Sequence, residues 1–358
     1  MQLVDLGWNS FFENHFEQYR NEKYSPLRII RENREKYIAY GEFGEFLCEI
    51  SGKYRFDKDS KAEFPTVGDW VVSTIRLDEN KATIHAILPR RSVFSRKVAD
   101  QITDEQVVAA NINTIFIVTG LDLNFNLRRI ERYLAMAWNS GATPVIILNK
   151  SDLCPENEIR KSEVESIAFG VDIHTISAAQ NIGIEILNRY IRPGETVAFV
   201  GSSGVGKSTI INSLLGKNKL KVNEVSELGS RGRHTTTHRE LILLPNGGIV
   251  IDTPGMRELQ VWGDEEGLKH VFDDIEELAS NCRFKNCSHE NEPGCAIIEA
   301  TNNGTLDSGR LESFYKLKKE FSYLADRQTM KASAIEKARG KKISKLIKNY
   351  YKDHKDKK

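Results

Sequence analysis

The residues with the clearest chemical use fall in a few short segments. Thr196–Thr209 reads TVAFVGSSGVGKST. Gly201, Gly206, Lys207 and Ser208 fit the spacing GxxxxGK[ST], in which backbone N–H groups of a glycine-rich loop wrap phosphate oxygens and the following helix adds its positive end. In that arrangement Gly201, Ser202, Ser203, Gly204, Val205, Gly206 and Thr209 surround the phosphates. Lys207 reaches the β- and γ-phosphates, and the Ser208 hydroxyl ligates Mg²⁺. Asn149-Lys150-Ser151-Asp152 supplies a carboxylate that can accept two hydrogen bonds from guanine N1–H and its exocyclic amine. Adenine lacks that donor pair and would leave the acceptor unsatisfied. Asn149 can bond the opposite base edge, and the Lys150 stem can lie over the base plane. Ser177-Ala178 ends another apolar run. In Asp252-Thr253-Pro254-Gly255, Asp252 can hold Mg²⁺ through a water and the Gly255 N–H can sense the γ-phosphate.

Two further segments extend this set. Gly229–His238, GSRGRHTTTH, has the polarity and glycine content of a switch loop. A threonine hydroxyl there, Thr236 first and Thr235 second, would complete the Mg²⁺ shell. Arg231 and Arg233 would touch phosphates of nucleotide or RNA, or remain solvated. Cys282-x4-Cys287-x-His289-x5-Cys295 offers three thiolates and one imidazole, a donor set for tetrahedral, structural Zn²⁺ with a closed shell. Cys48 and Cys154 read as ordinary thiols.

The elements that must position these residues follow from periodicity. Asn113–Thr119, Pro144–Leu148, Val171–Ile176 and Val197–Val200 are apolar strands separated by helical spacings such as Leu127–Trp138. Glu240–Leu244 and Gly248–Ile251 flank the turn Pro245-Asn246-Gly247 as a hairpin. Strand–helix alternation predicts a doubly wound, mainly parallel sheet with ligands at the strand carboxyl ends. Tyr37–Ile50, Asp69–Ile75 and Ala82–Leu88 instead predict a small barrel of the oligonucleotide-binding type. Arg90, Arg91, Arg96 and Lys97 follow it, as cations available to nucleic acid or merely as a basic exit. Leu311, Phe314, Leu317, Phe321 and Leu324 mark one face of a helix within Leu306–Arg327. The chain accordingly divides into an extension (1–27, a short helix and no chemistry), the barrel (28–92), a nucleotide-binding domain carrying the phosphate loop (93–265), a zinc-binding helical domain (266–330) and a basic tail (331–358).

Composition narrows the class. The chain has 358 residues, 40% hydrophobic and 28% charged, which fits a soluble protein of two or three domains. No apolar run reaches the roughly 20 residues of a membrane helix. The first residues, MQLVDLGWNSFFENHF, lack a signal-peptide pattern, so the expected compartment is the cytoplasm and no membrane is expected as a partner. Residues 331–358 carry 11 Lys/Arg against 3 Asp/Glu in a chain whose net charge is +1. Such a tail contacts a polyanion such as RNA or simply stays solvated.

A Ras-type GTPase runs phosphate loop, switch threonine, DxxG, NKxD, SA. Here NKSD and SA come first, and GSSGVGKST, RGRHTTT and DTPG follow, so the order is circularly permuted. With a small barrel before it and the Cys/His cluster after it, the chain resembles the RsgA (YjeQ/EngC) family over roughly residues 28–330. The resemblance implies a monomeric, slow GTP hydrolase stimulated by the 30S ribosomal subunit. It implies binding to 16S rRNA, a role in late 30S maturation beside other assembly factors, GTP/GDP with Mg²⁺, and one structural Zn²⁺ on the four cluster residues. It also puts a switch-loop histidine, matched by His234, where Ras-type enzymes use a glutamine to orient water; the residue after DTPG here is the apolar Met256. Lys207 and His234 are then the catalytic pair. The competing readings are an ATPase of another phosphate-loop class, which NKSD disfavours, and a non-enzymatic RNA-binding scaffold that uses GTP as a conformational ligand.

Overall fold

The computed structural model describes residues 1–20, 23–33, 36–58, 60–97, 105–216, 239–252, 266–289, 291–326 and 330. The amino-terminal segment is part of the folded body. Asn9 caps α1 (Ser10–Phe16) by accepting the Phe11 N–H. Trp8, Phe12 and Phe16 are buried with Trp70 of the barrel wall, and the Trp8 and Trp70 rings meet edge to face at 4.7 Å. The extension expected over 1–27 thus ends inside the barrel's first strand, which begins at Ser25.

Strands β1 (Ser25–Asn33), β2 (Lys36–Gly41), β3 (Gly44–Ile50), β4 (Trp70–Arg76) and β5 (Lys81–Ile87) pair in the order β1-β2-β3-β5-β4, and β4 returns to β1. The sheet therefore closes on itself. β3 and β5 run parallel, and the short helix α2 (Gly52–Phe56) follows β3. The run Tyr37–Ile50 is a hairpin and not one strand, because Gly41 and Gly44 bracket a turn between β2 and β3. Leu27, Ile29, Tyr37, Phe46, Val71 and Ile84 fill the barrel.

A ribbon of β6 (Val93–Lys97) and β7 (Glu105–Ala110) leads out of the barrel. Next come β8 (Thr114–Gly120), α3 (Leu127–Asn139), β9 (Thr143–Asn149), α4 (Asn157–Glu165), β10 (Asp172–Thr175), β11 (Thr196–Val200), α5 (Lys207–Leu215), β12 (Glu240–Leu243) and β13 (Ile249–Asp252). They form a sheet ordered β10-β9-β8-β11-β13-β12, parallel except for β12. Both faces are covered, so β8 is apolar at each step from Ile115 to Val118: Ile115 and Ile117 pack toward α3, while Phe116 and Val118 pack toward α5. β12 also pairs with β1 through Arg31 and Glu240, which joins the barrel to this sheet.

The carboxyl-terminal helices are α6 (Glu266–Val271), α7 (Asp273–Ser280), α8 (Ala296–Asn302) and α9 (308–326). Phe272, Ile275, Phe314, Leu317 and Phe321 bury in the same apolar cluster as Ile130 and Leu134 of α3. The helical unit therefore shares a core with the sheet.

The barrel exit corrects one expectation. Arg90 does not face a polyanion: its guanidinium bonds buried Asp69 at 2.7 and 2.8 Å and the carbonyls of Ala62 and Phe64 at 2.9 Å. Arg28, 1% exposed, bonds Leu6 O, Thr196 Oγ1 (2.8 Å), Gly68 O and Asn111 O. Burial pulls its pKa down to about 9, against the raising effect of Asp69.

Candidate functional site

Every segment of the predicted nucleotide set that lies among the described residues sits at the carboxyl ends of the parallel strands. β8 ends before Asp122, β9 at Asn149, β10 before Ser177, β11 before Gly201, and β13 at Asp252. This edge is where an open parallel sheet offers its loops to a ligand.

The phosphate loop is held by close backbone approach. Gly201 (φ +145) and Gly206 (φ +99) occupy conformations that L side chains rarely adopt. A Cβ on Gly201 would collide with Val118 O, and one on Gly206 with Asn149 Nδ2. Asn149 is the junction of three motifs. Its Nδ2 donates to Val205 O at 2.7 Å, and its Oδ1 accepts the Ala178 N–H at 2.9 Å. The Asn149–Asp152 segment, the Ser177-Ala178 segment and the glycine-rich loop are thus tied through one side chain. Ser177 Oγ donates to Asp152 Oδ1, which aims a carboxylate that is itself exposed. Ser151 lies beside it, its N–H bonded to Ile176 O at 3.1 Å.

Lys207 opens α5, and its Nζ donates to Gly201 O and Ser202 O, both at 2.7 Å. Ser208 and Thr209 follow in the first helical turn, half-buried, and Ser203 and Gly204 are exposed at the loop tip. Asp252 is half-buried at the end of β13. Burial pushes its carboxyl above the ordinary value, the charge of Lys207 pulls it back, and Glu240 adds to the rise. His234, Thr235, Thr236 and Gly255, with Arg231, Arg233 and Met256, lie outside the described residues.

Two residues absent from the sequence reading join this edge. Asp122 accepts from Lys150 Nζ at 2.6 Å. Burial would raise the Asp122 carboxyl, but the bonds from Lys150 and from the Asn124 N–H outweigh it and hold the group below its ordinary value. Its place two residues beyond a parallel strand was the available signal. Arg129 of α3 donates to Ser202 Oγ at 3.2 Å, and helical spacing alone gives no hint of that contact.

The Cys/His cluster lies in the carboxyl-terminal helical unit. Cys282 follows α7 and Cys295 precedes α8, so two helix termini hold the loop that carries Cys287 and His289. The four ligand atoms lie within 4.8 Å of one another. His289 Nδ1 is 3.5 Å from Cys282 Sγ and from Cys295 Sγ, and these two sulfurs are 3.9 Å apart. Tetrahedral Zn²⁺ with ordinary Zn–S and Zn–N bonds sets S···N near about 3.6 Å and S···S near about 3.8 Å, so the donor set fits that ion. The N–H groups of Ala296 and Ile297 point at Cys282 Sγ and favour its thiolate.

The RsgA GTPase family profile matches residues 87–262. The chain is 44% identical over 353 residues to the "Small ribosomal subunit biogenesis GTPase RsgA" of Opitutus terrae, covering 96% of each chain. It is 46% identical to the "Small ribosomal subunit biogenesis GTPase RsgA 2" of Lactiplantibacillus plantarum, covering 92% of each. Its fold is similar to that of the crystal structure of YjeQ from Thermotoga maritima, with a TM-score of 0.63 and 28% identity over 83% of this chain and 98% of that one. With its motifs in permuted order on one sheet edge, a closed barrel ahead of them and a Cys/His cluster behind, this chain belongs to the RsgA family of GTPases.

Proposed function

We propose that this protein hydrolyses GTP to GDP and phosphate while bound to the 30S subunit through its 16S rRNA, as a cytoplasmic factor in small-subunit biogenesis. The observation that carries the nucleotide reading is the double hydrogen bond of Asn149, to Val205 O and from Ala178 N. One side chain there links the segments that would read guanine and hold phosphate. The ribosomal reading is supported by the names of the relatives. It is also supported by the barrel surface, where Phe56, 89% exposed, follows Arg55 in α2 and Phe43, 61% exposed, lies in the β2–β3 turn. The basic stretch 331–358 adds charge suited to RNA.

In this reading Asp152, aimed by Ser177, accepts the guanine donors, and Lys150 is braced by Asp122. Lys207 exchanges its two loop carbonyls for phosphate oxygens. Ser208, Asp252 and a switch threonine, Thr236 or Thr235, would hold Mg²⁺, which neutralises developing phosphate charge. His234 positions or deprotonates the attacking water, a task the apolar Met256 cannot perform. Cys282, Cys287, His289 and Cys295 would hold one Zn²⁺ that fixes the loop between α7 and α8. Chelation should then lower the melting temperature of the whole chain, since these helices share its core.

GTP turnover measured with and without purified 30S subunits, for wild type and His234→Ala, tests the assignment. Stimulation in the wild type and its loss in the variant are expected. Equal stimulation in both removes His234 from the mechanism. If ATP displaces a labelled guanine nucleotide as well as GDP does, the base assignment fails.

A further inference from the structure

Helix α3 lies between the phosphate loop and the carboxyl-terminal helices, and its charged residues divide between the two. Arg128 pairs with Asp307, just before α9. Arg132 makes a two-pronged bond to Glu320 at 2.7 and 2.8 Å. Buried Glu131 accepts from Arg310 at 3.0 Å, and Arg310 also holds Asp274 and Val271 O. At the far end of α3, Asn139 accepts the Gly267 N–H at 3.2 Å. Arg129 turns the other way and donates to Ser202 Oγ at 3.2 Å and Asn124 O at 3.4 Å.

The loop needs such a hold. Gly201, Gly204 and Gly206 all have positive φ, and glycine-rich backbone is costly to fix in one conformation. Asn149 pins the Val205 end. The Ser202 end is held by Lys207 and Arg129. Lys207 must leave those carbonyls to meet phosphate, and Arg129 then remains.

We propose that Arg129 is a positioning residue of the phosphate loop, and that α3 makes the loop's geometry depend on how the carboxyl-terminal helices are seated. The proposal rests on guanine nucleotide binding at this loop. Arg129 organises the loop before and during phosphate binding. A shift of α9 carried by Arg128, Glu131 and Arg132 moves the guanidinium against Ser202.

The test uses the full chain and titration with a fluorescent GDP analogue, alongside kcat and KM for GTP and the melting temperature without nucleotide. Arg129→Ala should lower GDP affinity about fivefold to tenfold, as expected for one hydrogen bond from a charged donor, with unchanged melting. Arg129→Lys should restore part of it. Ser202→Ala should give a similar loss, and the double variant should be no worse than either single one. Losses that multiply, or a lower melting temperature with undiminished affinity, overturn the positioning role. Glu320→Lys, which opposes Arg132 with like charge, should weaken GDP binding in the wild type and leave the Arg129→Ala background unchanged. Equal effects in both backgrounds remove the relay through α3. Failure of the wild type to bind the GDP analogue would instead remove the nucleotide reading; wild-type binding with an indifferent Arg129→Ala removes this proposal alone.

Discussion

At the amino ends of the parallel strands, Arg28, Asp69, Arg90 and Asn111 are buried or nearly so, and their polar atoms meet other polar atoms of the chain. At the carboxyl ends of the same sheet, Lys207 leans on two backbone carbonyls, Asp152 stays exposed, and the loop tip Ser203-Gly204 faces solvent. The two edges use similar residue types with opposite outcomes. Charge sealed among internal partners joins barrel, ribbon and sheet into one body. Charge held by exchangeable partners remains available to a ligand. Substitutions at the first edge should therefore act on folding, and those at the second on binding.

The largest effect is expected at the sealed edge. Arg90→Leu removes four hydrogen bonds and leaves the buried Asp69 carboxylate without its bonded cation, keeping only the Thr66 N–H bond. Burial already raises the Asp69 carboxyl above its ordinary value, with Arg90 the main opposing influence. Breaking a buried pair in this way costs about 3–5 kcal/mol, readable as a lower urea midpoint. Nucleotide affinity of the remaining folded protein should hold. At the open edge, Asp152→Asn should do the reverse. Replacing one acceptor oxygen with a donor should cost about 2 kcal/mol of guanine binding, roughly 30-fold, with little movement in the urea midpoint. If Asp152→Asn unfolds the chain as Arg90→Leu does, the contrast between the edges is wrong.

The sequence made the open edge easier to read than the sealed one. Motifs such as GSSGVGKST and NKSD have fixed spacing because phosphate and guanine have fixed geometry, and apolar strands such as Asn113–Thr119 announce the sheet beneath them. The doubly wound sheet, the β12–β13 hairpin and the α9 face follow from periodicity alone. Three things stayed hidden. β1, SPLRIIREN, mixes charge into a strand because Arg28 points into a seam and Arg31 meets Glu240, so no clean alternation survives. Arg90 looked like a surface cation because its partner Asp69 is separated by 21 residues and only the closed barrel brings them together. The packing of 1–27 onto Trp70 depends on contacts across the chain that no local window contains.

Asp122 sits between these extremes, and its effect should be the smallest. It is at the open edge, yet its partner Lys150 is internal and the bond is 2.6 Å. Asp122→Asn should cost under ~1 kcal/mol of stability, as partly exposed pairs do, and should loosen guanine affinity a fewfold by freeing Lys150. The sign with pH follows from the lowered carboxyl. The unfolded chain binds this proton at the ordinary value, near about 3.9, and the folded chain only below it. The stabilising contribution is therefore complete above about pH 5 and is lost as pH falls through the unfolded and then the lower folded value. Urea midpoints of wild type and Asp122→Asn should stay parallel from pH 8 to about 5 and converge only in stronger acid. Convergence already near neutrality would mean that Asp122 is not held low by Lys150, and the bracing of the guanine segment from β8 would have to be abandoned.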